Sequence, residues 1–261
     1  MIICFTGTGN TRHIADILQD ILGDELVRLA PGLMSNPEKV KLEPRDGRII
    51  WAFPIHGWRM PMLVREVIKY AKIESETEVE HFMVATCGDD VGMAAEHWRR
   101  AIGKRGWKTR SAFSVTMPNT YVCMRGFDVD APEVADAKLA LCKGRAEAIA
   151  EQIEDNSTVV DDVVRGKFPF TKTYLIYPLF SFFKLRIGPF HTTDACTGCG
   201  RCARNCPLLT ISIGSDKRPH WKGKCSMCLR CYHQCPNHAI AFGSATKGKG
   251  QYIFSGYSIK A

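Results

Sequence analysis

The chain has 261 residues, 45% of them apolar and 24% charged, with 22 glycines and 13 prolines. Those proportions exclude disordered, collagen-like and coiled-coil classes and leave room for two globular domains. The formal charge of +8 is unevenly placed: residues 190–261 hold 10 Lys/Arg against 2 Asp/Glu, while residues 1–189 balance at 25 of each.

Ile2-Ile3-Cys4-Phe5 reads as a short buried strand, Thr6-Gly7-Thr8-Gly9-Asn10-Thr11 as a tight turn, and Ile14, Ala15, Ile17, Leu18, Ile21 and Leu22 as the apolar stripe of a helix. Strand, glycine loop and helix N-terminus together make an anion site. Terminal N–H groups point at the ligand, and the hydroxyls of Thr6, Thr8 and Thr11 can donate to phosphate oxygens. A dinucleotide turn needs a third glycine where Arg12 stands, and the lysine of a nucleoside-triphosphate loop is absent. A hydrophobic strand leading into Thr6-x-x-Gly9-x-Thr11, with Ala15 and Leu18 behind it, resembles the flavodoxin signature, with Cys4 where Tyr or Phe is usual. The resemblance implies FMN held by its phosphate in this loop.

Strand patterns over Arg48–Phe53, His81–Thr86 and around Arg110–Thr116, with helical patterns near 61–72, 91–103 and 131–153, fit a flavodoxin-like α/β open parallel sheet. The last helix is expected to bury Leu139, Ala140, Ala146, Ile149 and Ile153. Ligands of open parallel sheets lie beyond the C-terminal strand ends. There the sequence gathers Pro54-Ile55-His56-Gly57-Trp58 and Thr86-Cys87-Gly88-Asp89. Likeness to flavodoxins implies a flavin ring between these loops, with Trp58 stacked on it, His56 at its edge and the His56–Gly57 peptide bonded to N5. Ordinary packing also accounts for Trp58, and an exposed loop for His56. Met117-Pro118-Asn119-Thr120-Tyr121 is a further candidate lid. Cys4, Cys123 and Cys142 read as small hydrophobes, and Cys87 as the loop cysteine to watch.

Residues 154–189 contain no glycine–serine linker: Asp155, Asp161 and Asp162 give way to Phe168-Pro169-Phe170 and an apolar run from Leu175 to Phe183. That run is far below the roughly twenty residues of a membrane-crossing helix. A strap over 168–183, packed between two domains, is the expected reading. Lys172, Lys184 and Arg186 among the apolar residues also allow a membrane-surface strip.

Eight of the 12 cysteines form two runs, Cys196-x2-Cys199-x2-Cys202-x3-Cys206-Pro207 and Cys225-x2-Cys228-x2-Cys231-x3-Cys235-Pro236, at a constant offset of 29. Thr210-Ile211 and Ala239-Ile240 repeat at the same offset, so the segment reads as an internal duplication. Tetrahedral zinc needs four ligands and does not call for the third cysteine or the Cys-Pro. No basic and apolar leader opens the chain, so reduced or metal-bound thiols and a cytoplasmic location are expected. The segment closely resembles the bacterial-type ferredoxin with two [4Fe–4S] clusters, over about 190–245. By that resemblance Cys196, Cys199, Cys202 and Cys235 hold one cluster, and Cys206, Cys225, Cys228 and Cys231 the other. The positive charge departs from the usual acidic ferredoxin and points to an acidic redox partner or an anionic surface.

Together the two regions resemble the flavodoxin–ferredoxin fusion proteins of the EFR1-type ferredoxin family. The organisation this implies is a flavodoxin-like FMN-binding domain over 1–153, an aromatic interdomain strap over 154–189, and a small α+β two-cluster ferredoxin domain over 190–261. The function it implies is electron transfer between FMN and two [4Fe–4S] clusters. The alternative is a flavin-dependent reductase of a small molecule with a built-in ferredoxin donor, using His56, Arg59 and Tyr121 as substrate contacts. Nucleic-acid binding is not expected, because the C-terminal Lys/Arg are dispersed around cysteines rather than clustered.

Overall fold

The computed structural model describes residues 1–29, 31, 36–179, 188–255 and 257. In chain order the first region contains β1 (Ile2–Cys4), α1 (Asn10–Leu22), β2 (Leu26–Arg28), β3 (Lys41–Leu42), β4 (Arg48–Pro54), α2 (Met62–Tyr70) and β5 (Lys72–Ile73). It continues with β6 (Glu80–Cys87), α3 (Ala94–Gly103), β7 (Lys108–Thr116), α4 (Pro132–Asp155) and β8 (Asp161–Asp162). Six of these strands form one sheet, ordered β2-β1-β4-β6-β7-β8, with every pairing parallel. Without the two-residue edge strand β8, this is the doubly wound order of flavodoxin-like folds, whose ligand site lies where the winding reverses.

The sequence explains the layers. Ile49 to Phe53 of β4 and Phe82 to Ala85 of β6 are continuous buried apolar runs, as strands covered on both faces require. One face packs Ile14, Ala15 and Leu18 of α1 with Cys142, Ala146, Ile149 and Ile153 of α4. The other takes Leu63, Val64 and Val67 of α2 with Trp98 and Ile102 of α3. Ala140, expected inside, is exposed. It lies two residues from buried Cys142, about 200° around the helix.

The stretch expected as a strap divides in two. Its first part supplies β8, parallel to β7, with Arg145 bonding Asp162 and Arg99 bonding Asp161. Its second part winds into a wide helical turn, Thr171–Ile176, with its polar side inward. Thr173 is fully buried; its carbonyl accepts from Arg59 at 2.8 Å and its hydroxyl accepts the Met93 N–H at 3.0 Å. Lys172 pairs with Asp90 at 2.5 Å. The apolar side chains face outward, opposite to a packed strap, because the hydrogen-bonding groups find their partners on the first region. Phe180, Phe182, Phe183, Lys184 and Arg186 lie outside the described residues.

The second region is built on the duplication. β9 (Phe190–Thr192) pairs antiparallel with β12 (Ile240–Phe242), and β10 (Ile211–Ile213) with β11 (Pro219–Trp221). The register Phe190↔Phe242 becomes Pro219↔Ile213 when each number moves by the 29-residue offset. The four-residue helices α5 (Arg201–Arg204) and α6 (Arg230–His233) are equivalent in the same way. Between them the equivalent side chains Asn205 and Gln234 bond each other at 2.7 Å, buried on the local two-fold. Among the described residues no helix is long and apolar enough to cross a membrane.

A candidate cofactor cavity shared by both regions

The C-terminal ends of β1, β4, β6 and β7 open into a cavity of about 810 Å³, within the 300–1,000 Å³ typical of cofactor sites. The glycine loop forms its floor. Gly9 adopts a left-handed φ of 104° and caps α1 without a side-chain hydrogen bond, so the first-turn N–H groups remain available to an anion. The Thr6 hydroxyl accepts from the Gly9 N–H at 3.0 Å, and the Thr11 and Thr86 hydroxyls bond at 2.7 Å. Two of the three expected phosphate hydroxyls therefore also brace the loop. This donor set of open amides and hydroxyls, with no lysine, fits a single terminal phosphate.

Thr6, Gly7, Thr8, Asn10, Thr11, Pro54, His56, Gly57, Thr86, Cys87 and Gly88 line the cavity. Three other expected site residues do not. Gly9 faces the other way, where an added Cβ would meet Tyr257 at 2.6 Å. Asp89 is exposed. Trp58 sits with Gly57 in a turn where both have positive φ, 60° and 57°, closed by the His56 N–H donating to the Arg59 carbonyl at 3.0 Å. That turn points the indole at Gly92 and Lys172 instead of into the cavity. The expected stacking role of Trp58 is thus not supplied by this geometry.

Cys87 is the buried last residue of β6 and not a loop thiol, and burial pushes its pKa up to about 12. Such a thiol is a poor nucleophile. Cys4 is likewise pushed up to about 12 by burial. Desolvation holds His56 down at about 4, against the opposing pull of a hydrogen bond to the Ser226 backbone. His56 therefore lines the cavity as a neutral imidazole. The Met117 to Tyr121 segment does line the cavity, held by Asn10 donating to the Pro118 carbonyl at 2.9 Å.

Sequence reading missed the opposite wall, which is Cys225, Ser226, Met227, Cys228 and Leu229 of the second cysteine run. The approach is close: a Cβ on Gly7 would fall 2.7 Å from the Cys228 carbonyl oxygen. Arg230, only 3% exposed, donates to the Thr6 carbonyl and, at 3.1 Å, to that of Asn205. His233 bonds the Thr120 carbonyl at 2.8 Å. The chain then returns over the glycine loop, with the Phe254 N–H donating to the Thr8 carbonyl at 2.9 Å and Tyr252 bonding Asn10 at 3.1 Å. Phe254 stacks on His13 at 4.2 Å.

Two smaller cavities occupy the second region. One is lined by Cys196, Cys199, Cys202 and Cys235, the other by Cys206, Cys225, Cys228 and Cys231, so each gathers three thiols of one run and the fourth of the other. Among the described residues no three such side chains converge on a point that one metal ion could fill. A cuboidal cluster ligates each thiolate to a different iron, so four thiols framing a space is the donor set it needs. The second of these cavities shares Cys225, Ser226, Cys228 and Leu229 with the large one.

The strand order and the thiol-lined cavities define an α/β protein of the doubly wound class carrying an iron–sulfur region. Residues 189–236 match the family model of the 4Fe-4S dicluster domain. The chain thus contains a 4Fe-4S domain, and with it an electron-transfer role. Among solved structures it is similar to the Streptococcus pneumonia TIGR4 flavodoxin, at 17% identity and a TM-score of 0.33, covering 59% of this chain and 94% of that one. No curated protein matches the chain.

Proposed function

We propose that the chain is a cytoplasmic electron carrier in which FMN in the large cavity exchanges electrons with two [4Fe–4S] clusters held by the crossed cysteine sets. The observation that carries this reading is the shared wall: Cys225 and Cys228 border both the glycine-loop cavity and a thiol-lined cavity. When bound, FMN would supply a two-electron centre and the clusters one-electron centres, while the protein sets distance and exposure. Thr8 and the first-turn amides of α1 hold the phosphate, the turn at His56 and Gly57 and the segment from Met117 bound the ring, and neutral His56 braces the Ser226 peptide. Arg230 ties the cluster loop to the phosphate loop.

The other cluster set faces outward. Cys199 is exposed, and the region's cations exceed its acids, so an acidic redox protein is the partner this face suits. A reductase acting on a small molecule is the second reading, favoured by Arg59 and Tyr121 lining the same cavity as His56. Anaerobic purification with cofactor extraction tests the first claim. About eight irons and one FMN per chain are expected; stoichiometric FAD, or half the iron, would overturn it.

A further inference from the structure

The outward face of the turn after β8 lines neither the large cavity nor the two thiol-lined ones. Phe168, Phe170, Leu175, Ile176 and Leu179 are exposed by 75, 60, 63, 46 and 63%. They lie within twelve residues, while Lys172, Thr173 and Tyr174 of the same stretch turn inward onto Asp90, Met93 and His97. A segment that turns Lys172, Thr173 and Tyr174 inward and leaves two phenylalanines and three aliphatic side chains exposed differs from an ordinary surface helix, and a cluster of exposed apolar side chains of this kind marks an interaction site.

Charge selects the occupant. From Val163 to Thr193 the sequence has five Lys or Arg and no Asp or Glu. Arg165 and Lys172 are paired to Glu96 and Asp90, and Lys167 stands exposed beside Phe168. Exposed aromatic and aliphatic side chains beside the exposed Lys167, on a stretch of sequence that carries no acid of its own, suit the boundary of an anionic lipid bilayer, where rings sit at headgroup depth and lysines meet lipid phosphates.

We propose that this face docks the protein peripherally on anionic phospholipid. The proposal does not depend on which cofactor fills the cavity. The test is flotation of the purified full chain with vesicles of phosphatidylglycerol and phosphatidylcholine in equal parts, or of phosphatidylcholine alone, at low and high salt. The variant combines Phe168→Ser, Phe170→Ser, Leu175→Ser and Leu179→Ser, all at exposed positions. Its unchanged iron content and circular dichroism would certify folding. The native chain should float with the anionic vesicles and keep part of its binding at high salt, and the variant should lose roughly tenfold or more. Lys167→Glu should weaken binding at low salt only. Three results would overturn the proposal: no flotation of the native chain, equal flotation of native and variant, or a patch-dependent dimer that ignores vesicles.

Discussion

The two regions reach order by different routes. The first buries two apolar layers on a six-stranded sheet, with Trp51, Trp98, Phe53, Phe82 and Phe113 fully enclosed. The second has three-residue strands and two four-residue helices, and its core recruits Val122 and Cys123 from the first region. A core that thin cannot carry a small fold alone, so the neighbouring region, and an iron–sulfur centre when bound, must contribute to its folding. The large cavity lies where the self-sufficient region meets the dependent one.

The largest effect should come from breaking that dependence. Cys206→Ala is expected to cost about half the iron, the loss falling on the cluster shared with Cys225, Cys228 and Cys231, and to destabilise the second region by about 2–5 kcal/mol, comparable to the loss of a structural staple. Iron analysis and resonance spectroscopy of the remaining cluster check it. Loss confined to the set of Cys196, Cys199 and Cys202 would show that the fourth ligands do not cross.

Arg230→Leu comes next, because it leaves the Thr6 and Asn205 carbonyls without a buried charged donor. Both bonds come from one guanidinium, and the loss expected is about 1.5–3 kcal/mol in all. Unfolding followed separately by flavin fluorescence and cluster absorbance should show the two transitions drawn apart. Coincident, unshifted transitions would mean the regions are not coupled through Arg230.

Acid should act on the sheet through a buried histidine. His81 is fully buried, accepts from the Trp51 indole N–H at 2.9 Å and stacks on Trp107, and burial holds it near 4. Its folded pKa lies below the unfolded value of about 6.5, so the unfolded state takes up the extra proton. The stabilisation is complete above about pH 6.5 and is lost as pH falls toward 4. The melting temperature should drop across that window, and His81→Leu should flatten the slope even though it lowers the plateau.

The smallest effect is at the phosphate loop. If the Thr8 hydroxyl donates to a bound phosphate as proposed, Thr8→Ala should weaken FMN binding by roughly tenfold, measured by fluorescence titration of the apoprotein, with no change in iron content.

These contrasts also mark what the sequence could disclose. The glycine loop, the cysteine runs and the strands β4 and β6 are local patterns, and their meaning lies in spacing over a few residues. The 29-residue offset makes Asn205 and Gln234 equivalent positions, but that the two side chains meet is seen only in the structure. The cavity wall from Cys225 to Leu229, and the tail that lays Phe254 on Thr8, join positions about as far apart as the chain permits, and no periodicity encodes them. The indole of Trp58 points away from the cavity because a left-handed turn directs it to Gly92, and a left-handed backbone at a bulky residue is not readable from composition. The strap residues were legible as apolar but not as outward-facing, since that depended on where Thr173 and Lys172 found their partners.

The shared wall is most directly tested by anaerobic flash reduction of the clusters in the holoprotein, with the flavin absorbance followed in time. If Cys228 and Gly7 stand as close as described, electrons reach the flavin within one molecule, and the observed rate constant is the same across a wide range of protein concentration. A rate constant that rises in proportion to protein concentration would contradict the account and show that the two centres serve separate partners.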